Sequence, residues 1–250
     1  MPIEIKSVGV LGGGVMGAGI AQALAVGGLK VAVRDISDEL IEKARSTIVD
    51  GRYGLKRGVE RGKTTQEQMD AAIANLSFTT NLDDLKGVDL VIEAVPEELN
   101  LKKKVWAEVD GIVQPQAVFA TNTSGLVIGE INQAVSELRR PQFIGAHWFS
   151  PAPVMKLVEL VHAPETAEET LQALESVCQR IGKASVRVKD APGKYGFIAN
   201  RVYFAAVREA QAVLAEGIAS AEDINKAMVQ GYNWPIGPLA MVEGARKGWQ

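Results

Sequence analysis

Histidine and cysteine are scarce in this chain, which has two of the first and one of the second in 250 residues. The lone cysteine, Cys178, excludes an internal disulfide. It falls in a helical pattern, LQALESVCQRI, where a small buried cysteine is a packing residue. No apolar run approaches the roughly 20 residues that a membrane helix requires. The first residues, MPIEIKSVGVLGGG, lack the basic, apolar and cleavage regions of a secretory signal. A reduced, cytoplasmic compartment is therefore expected. An excess of one charge is also lacking. Lys and Arg number 27 against 30 Asp and Glu, for a net charge of -3, and nucleic acid is not expected as a partner. The run Lys102-Lys103-Lys104 reads as the wet side of a helix. No metal site is expected, and there are no repeats or low-complexity tracts.

Hydrophobic residues make up 47% of the chain, enough for a sizeable core. Ser7–Leu11 is a short apolar strand leading into glycines. Helical spacing follows to Val26, then the strand KVAVR at 30–34. This is a βαβ unit. Ser37 suits a helix N-cap, and residues 37–75 read as a helical hairpin that breaks near 62–64. Strands are expected at about 76–79, 89–95, 117–121 and 142–149, with helices at 99–112 and 127–138 between them. A strand at 155–161, a helix at 166–181 and a last strand at 185–189 complete the alternation. Beyond the loop DAPGKYG the pattern is helical only, at 197–216 and 220–230, before a Pro/Gly turn at 235–238. The expected fold class is α/β: a Rossmann-type, mostly parallel sheet with an inserted helical hairpin, plus a small all-α C-terminal domain. The boundary is placed at 190, giving domains of 1–190 and 191–250.

Gly12-x-Gly14-x-x-Gly17 follows a strand and opens a helix, with Val15 and Met16 in its first turn. The first glycine permits the tight turn, the second lets backbone approach a pyrophosphate, and the third lets helix and strand pack closely. The helix N-terminus would hold the phosphates. Asp35, at the end of the second strand, would accept hydrogen bonds from a ribose, which favours NAD over its 2′-phosphorylated form. Arg34 beside it is the residue type that holds such a phosphate. A structural glycine turn is the alternative.

HWFSPAPVMKLVEL, residues 147–160, joins two strands through Pro151-Ala152-Pro153, which cannot continue a ladder. Antiparallel pairing about Pro153 sets His147 opposite Glu159, with Cβ atoms roughly 4.5–5.5 Å apart. Glu159 would then fix the imidazole tautomer and His147 would act as a general base. Removal of a hydroxyl proton is what oxidation of an alcohol by hydride transfer needs. A structural, half-buried pair is the alternative. His162 reads as a solvated loop residue. Ser124 lies just past the strand AVFAT, where it either hydrogen-bonds a reacting oxygen or caps the following helix. Asn200, early in the first helix of the second domain, reaches across a cleft or is a surface amide.

These segments together resemble the L-3-hydroxyacyl-CoA dehydrogenase family: GGGVMGAGIA from Gly12, DLVIEAVPE at 89–97, Asn122-Thr123-Ser124, the stretch from His147 to Glu159, GFIANR at 196–201 and PIGP at 235–238. The resemblance implies reversible, NAD-dependent oxidation of an L-3-hydroxyacyl-CoA to the 3-ketoacyl-CoA. It also implies a homodimer formed through the helical domain. By matching positions His147 is the base, Glu159 its partner, and Ser124 and Asn200 hold the substrate oxygen. Glu97 and Lys102 lie along the cofactor. The hairpin meets CoA, where Lys56 or Arg57 pairs with phosphates or stays solvated. The chain departs from the family in three places. Ser150 replaces the usual asparagine near the nicotinamide. Lys194-Tyr195-Gly196 lengthens the hinge. The chain ends at Gln250, where the family continues for another helix or two. Two other readings remain: a dehydrogenase of free hydroxy acids of the gulonate or carnitine type, and a non-catalytic, NAD-binding structural relative.

Overall fold

Short β-branched runs separated by helical segments build one eight-stranded sheet. The computed structural model describes residues 3–193 and 195–246. The chain runs β1 (Ser7–Leu11), α1 (Val15–Val26), β2 (Lys30–Arg34), α2 (Asp38–Asp50), α3 (Leu55–Glu60), α4 (Gln66–Ala74) and β3 (Leu76–Thr79). It continues with β4 (Leu90–Glu93), α5 (Leu99–Asp110), β5 (Val118–Thr121), α6 (Ile128–Asn132), β6 (Phe143–Trp148), β7 (Leu157–His162), α7 (Glu168–Arg180) and β8 (Ala184–Lys189). The spatial order is β3-β2-β1-β4-β5-β6-β7-β8. Every neighbouring pair is parallel except β6 with β7. Strand order reverses between β1 and β4, the place where open α/β sheets form a crevice beyond their carboxyl ends.

Every residue of β4, β5 and β6 is buried, as expected of strands covered on both faces. On one face Trp106 of α5 stacks on Phe119 at 4.8 Å and meets Phe143 edge-on at 5.0 Å. The other face is closed by α1 and α7, including Cys178, whose thiol burial pushes up to about 12. An inert packing role fits that environment.

Five local expectations change. The hairpin has a second break, where Gly51 and Gly54 separate α2 from α3. Gly51 is the C-cap of α2 and turns extended at ψ 167°, and a Cβ there would sit 2.4 Å from Thr47 O. The helix expected at 127–138 spans only Ile128–Asn132. Strand β7 starts at Leu157, because 151–155 form a turn closed by Val154 and Met155 N–H donating to Pro151 O. His162 is the last residue of β7, paired in register with Lys189, and is not in a loop. Lys102 departs from its neighbours: it shares the buried face of α5 with Trp106 and Val109, while Lys104 is exposed. The helical period of α5 splits the lysine run between two faces.

The chain divides into two compact units between residues 194 and 195. In the second unit, α8 (Ala199–Ala215), α9 (Ala221–Tyr232) and α10 (Pro238–Arg246) pack pairwise. Asn233 closes α9 in the left-handed conformation at φ 56°. The Pro/Gly turn then opens α10, a helix that sequence reasoning left out. Asn225 of α9 accepts from Leu239 N–H at 3.0 Å and Ala240 N–H at 3.2 Å, capping α10 across a helix pair.

Candidate active site

The glycine turn sits at the strand-order reversal. Gly12 has φ +91°, a conformation that side chains rarely adopt, and a Cβ there would lie 2.9 Å from Ala94 O of the neighbouring crossover. A Cβ on Gly17 would lie 1.8 Å from Gly12 O, so α1 crosses the turn closer than any side chain allows. Gly13, which sequence reasoning passed over, is equally constrained, with Ala44 Cβ 2.7 Å from where its own would be. Gly14 differs. Its Cβ position has nothing within 4 Å, it is the N-cap of α1, and no side chain caps that helix. Val15 is 74% exposed. The first turn of α1 thus presents backbone N–H groups to an open cradle, which suits a dinucleotide pyrophosphate. Asp35 Oδ2 accepts from Gly13 N–H at 2.7 Å and Oδ1 from Ile36 N–H at 2.7 Å, fixing the carboxylate beside the turn. Gly17→Ala is expected to abolish NADH binding, because relieving a 1.8 Å approach requires the turn to move bodily. Retained nucleotide affinity by NADH fluorescence titration would contradict that geometry.

A buried polar chain runs beneath the carboxyl ends of β4 and β5. Lys102 Nζ donates to Glu93 Oε1 at 2.6 Å and Val95 O at 3.3 Å, and lies 3.4 Å from Glu97 Oε2. The side chains of Lys102 and Glu93 are 1% and 0% exposed. Thr121 donates to Glu93 Oε2 at 2.7 Å. Glu97 Oε1 accepts from Thr123 Oγ1 at 2.6 Å and from Ser124 N–H at 2.8 Å. Of the two positions that sequence analysis set along the cofactor, Glu97 is partly exposed and Lys102 lies beneath it. Ser124 is no helix cap. The N-cap of α6 is Val127, and Thr123 Oγ1 accepts from Gly125 and Leu126 N–H. Glu93 and Thr121 were missed, and an acid ending an otherwise apolar strand was the available signal.

The β6–β7 register pairs His147 with Glu159. His147 Nδ1 and Glu159 Oε2 are 2.7 Å apart, with side chains 5% and 0% exposed. Phe149 lies against the imidazole, centroid to centroid 4.5 Å. Asn122 Oδ1 accepts from Trp148 N–H at 2.9 Å, tying the loop after β5 to β6 beside His147. Ser150 is exposed just past β6. In the hairpin, Lys56 pairs with Asp50 and Arg57 with Glu60, each at 2.6 Å. Arg57, Arg61, Lys63 and Lys183 line a cavity of about 240 Å³ that Lys56 does not reach. Neither Arg61 nor Lys63 is paired with a carboxylate among the described residues. Asn200 lies in the first turn of α8, in the second unit.

The 3-hydroxyacyl-CoA dehydrogenase NAD-binding domain profile matches residues 7–191, and the C-terminal domain profile of the same enzymes matches 196–246. The chain belongs to the 3-hydroxyacyl-CoA dehydrogenase family. It is 37% identical over 242 residues to a probable 3-hydroxybutyryl-CoA dehydrogenase of Bacillus subtilis, covering 96% of this chain and 81% of that one. The structure of (S)-3-hydroxybutyryl-CoA dehydrogenase from Ralstonia eutropha superposes with a TM-score of 0.89 at 42% identity, covering 95% of this chain and 81% of that one. A diketoreductase described as acting on dicarbonyl compounds superposes at 0.86 with 28% identity, over 95% and 82% of the two chains. The glycine turn, the buried acid–lysine chain and the His147–Glu159 pair all lie within the segment matched to the family's NAD-binding domain. Among the described residues no helix is long and apolar enough to cross a membrane.

Proposed function

We propose that this protein is an NAD-dependent dehydrogenase that interconverts an L-3-hydroxyacyl-CoA and the 3-ketoacyl-CoA. The observation that carries the reading is the buried His147–Glu159 contact of 2.7 Å, on the sheet that also carries the uncapped glycine turn. A purely structural protein has no use for that combination. The bound cofactor supplies the hydride acceptor. Gly12, Gly14, Val15, Met16 and Gly17 would hold its pyrophosphate, Asp35 its ribose and Ser150 its nicotinamide end. Lys102 acts through Glu97, whose carboxylate it orients.

In the oxidative direction His147 removes the proton from the 3-hydroxyl through Nε2. Glu159, held on Nδ1, selects that tautomer and stabilises the imidazolium that forms. By the family resemblance Ser124 and Asn200 are the groups that would donate to the substrate oxygen. In reduction the imidazolium returns the proton to the same oxygen. The basic cavity at the hairpin favours a CoA thioester over a free hydroxy acid, since Arg57, Arg61 and Lys63 suit phosphates. Lys56, outside that cavity, stays on the solvated face. The exposed apolar residues Val202, Ile218 and Tyr232 of the helical domain, 191–250, support a homodimer. The compartment read from the sequence is the cytoplasm.

Consumption of NADH, followed at 340 nm with acetoacetyl-CoA, tests the proposal. Turnover is expected with NADH, and much less with NADPH because Asp35 repels a 2′-phosphate. An absence of turnover with any acyl-CoA chain length, in a preparation that binds NADH, would reject the enzyme reading. Equal turnover with free 3-keto acids would favour the hydroxy-acid alternative.

A further inference from the structure

The bend between His147 and Glu159 is gripped by a lysine that lies in no recognised motif. Val154 and Met155 N–H donate to Pro151 O at 2.9 and 3.0 Å, so residues 151–155 form a single helical turn. In a turn this short the last carbonyls have no amide of the same turn to accept from. Lys183 Nζ donates to Ala152 O at 2.8 Å and to Met155 O as well. The ammonium also stands 5.2 Å from the ring centroid of Trp148, the neighbour of His147. From the other side the turn rests on α1. A Cβ on Gly19 would lie 3.1 Å from Ala152 Cβ and 3.0 Å from Pro153 Cδ. Lys183 is itself fixed, because the next residue begins β8 and Ala184 N–H donates to Lys156 O at 2.7 Å.

We propose that Lys183 is a positioning residue for the reaction: its ammonium clamps the 151–155 turn so that β6 and β7 leave it in the register that holds the His147 imidazole against Glu159. The inference rests on His147 and Glu159 being the proton-transfer pair. Helix-like turns favour a cation at their carboxyl end, which adds to the two hydrogen bonds. Burial pushes the Lys183 ammonium below the ordinary lysine range, because desolvation penalises the charged form. Lys183 also lines the basic cavity, so a role in binding substrate phosphates is the competing account.

Lys183→Met keeps the apolar stem and removes the charge. With acetoacetyl-CoA its kcat is expected to fall about 10- to 100-fold, the scale of a misplaced catalytic group, while NADH affinity stays at the wild-type level. The same loss is expected with S-acetoacetyl-N-acetylcysteamine, a thioester that carries no phosphate. In Lys183→Ala, added ethylammonium should restore part of kcat in a saturable way. Three results would overturn the proposal: wild-type kcat in Lys183→Met, a defect confined to KM for the CoA thioester, or a folded Lys183→Ala unresponsive to ethylammonium. The underlying reading fails separately, and visibly, if His147→Gln turns over like wild type.

Discussion

Replacing His147 with glutamine is expected to lower kcat by about 10³- to 10⁴-fold, the upper part of the range that a positioned general base contributes. Affinity for NADH should stay within about twofold, because the glycine turn follows β1 whereas the imidazole stands on β6, with β4 and β5 between them in the sheet. Glutamine fills similar space and still offers hydrogen-bond donors to the buried Glu159 carboxylate, so the loss reports chemistry and not collapse. The companion change Glu159→Gln keeps the imidazole in place but takes away the anion that faces it at 2.7 Å. Its kcat should fall by up to about 10⁴-fold as well, since an amide that donates to Nδ1 favours the tautomer whose Nε2 cannot accept the proton. Steady-state kinetics in both directions, with fluorescence titration of NADH, make the comparison. Turnover of His147→Gln within tenfold of wild type would remove the proton-transfer role.

The largest effect on stability is expected at Lys102→Met. Methionine matches the stem that packs beside Trp106, but Glu93 is then left 0% exposed without its cation. Breaking one side of a buried pair costs about 3–5 kcal/mol, most of it from the stranded charge. For a chain of this length that corresponds to a melting temperature lower by on the order of 10 °C. Glu93→Gln added to Lys102→Met should recover most of the loss, since a neutral amide still accepts from Thr121 and needs no counter-charge. Glu97, which holds Ser124 N–H at 2.8 Å, loses its own cation in the single variant, so kcat should drop as well. A Lys102→Met protein that melts with the wild type would mean that the Lys102–Glu93 contact stabilises nothing.

The alternation of strands and helices was legible because burial on a sheet has period two and burial on a helix 3.6, and those periods are written in the apolar residues. The β6–β7 register was legible for a related reason. Pro151 and Pro153 admit only a turn, and a turn between two apolar runs fixes which residues face each other. That is how His147 came opposite Glu159 on paper before it did in space. Lys102 shows the limit. Three consecutive lysines look alike in sequence, and only the packing of α5 against the sheet turns one of them inward onto Glu93. The extent of α10 shows it again, because its cap, Asn225, belongs to another helix.

Sequence by itself determined the chemistry available: a glycine turn after the first strand, one well-placed imidazole and its carboxylate. Tertiary structure alone decided which polar groups meet across distant segments. These are Lys102 with Glu93 and Glu97, Glu97 with the amide of Ser124, and Lys183 with the carbonyls of the 151–155 turn. The division has a physical basis. Periodicity and turn formation act over a few residues, whereas a buried ion pair exists only where separate elements close around it and exclude water.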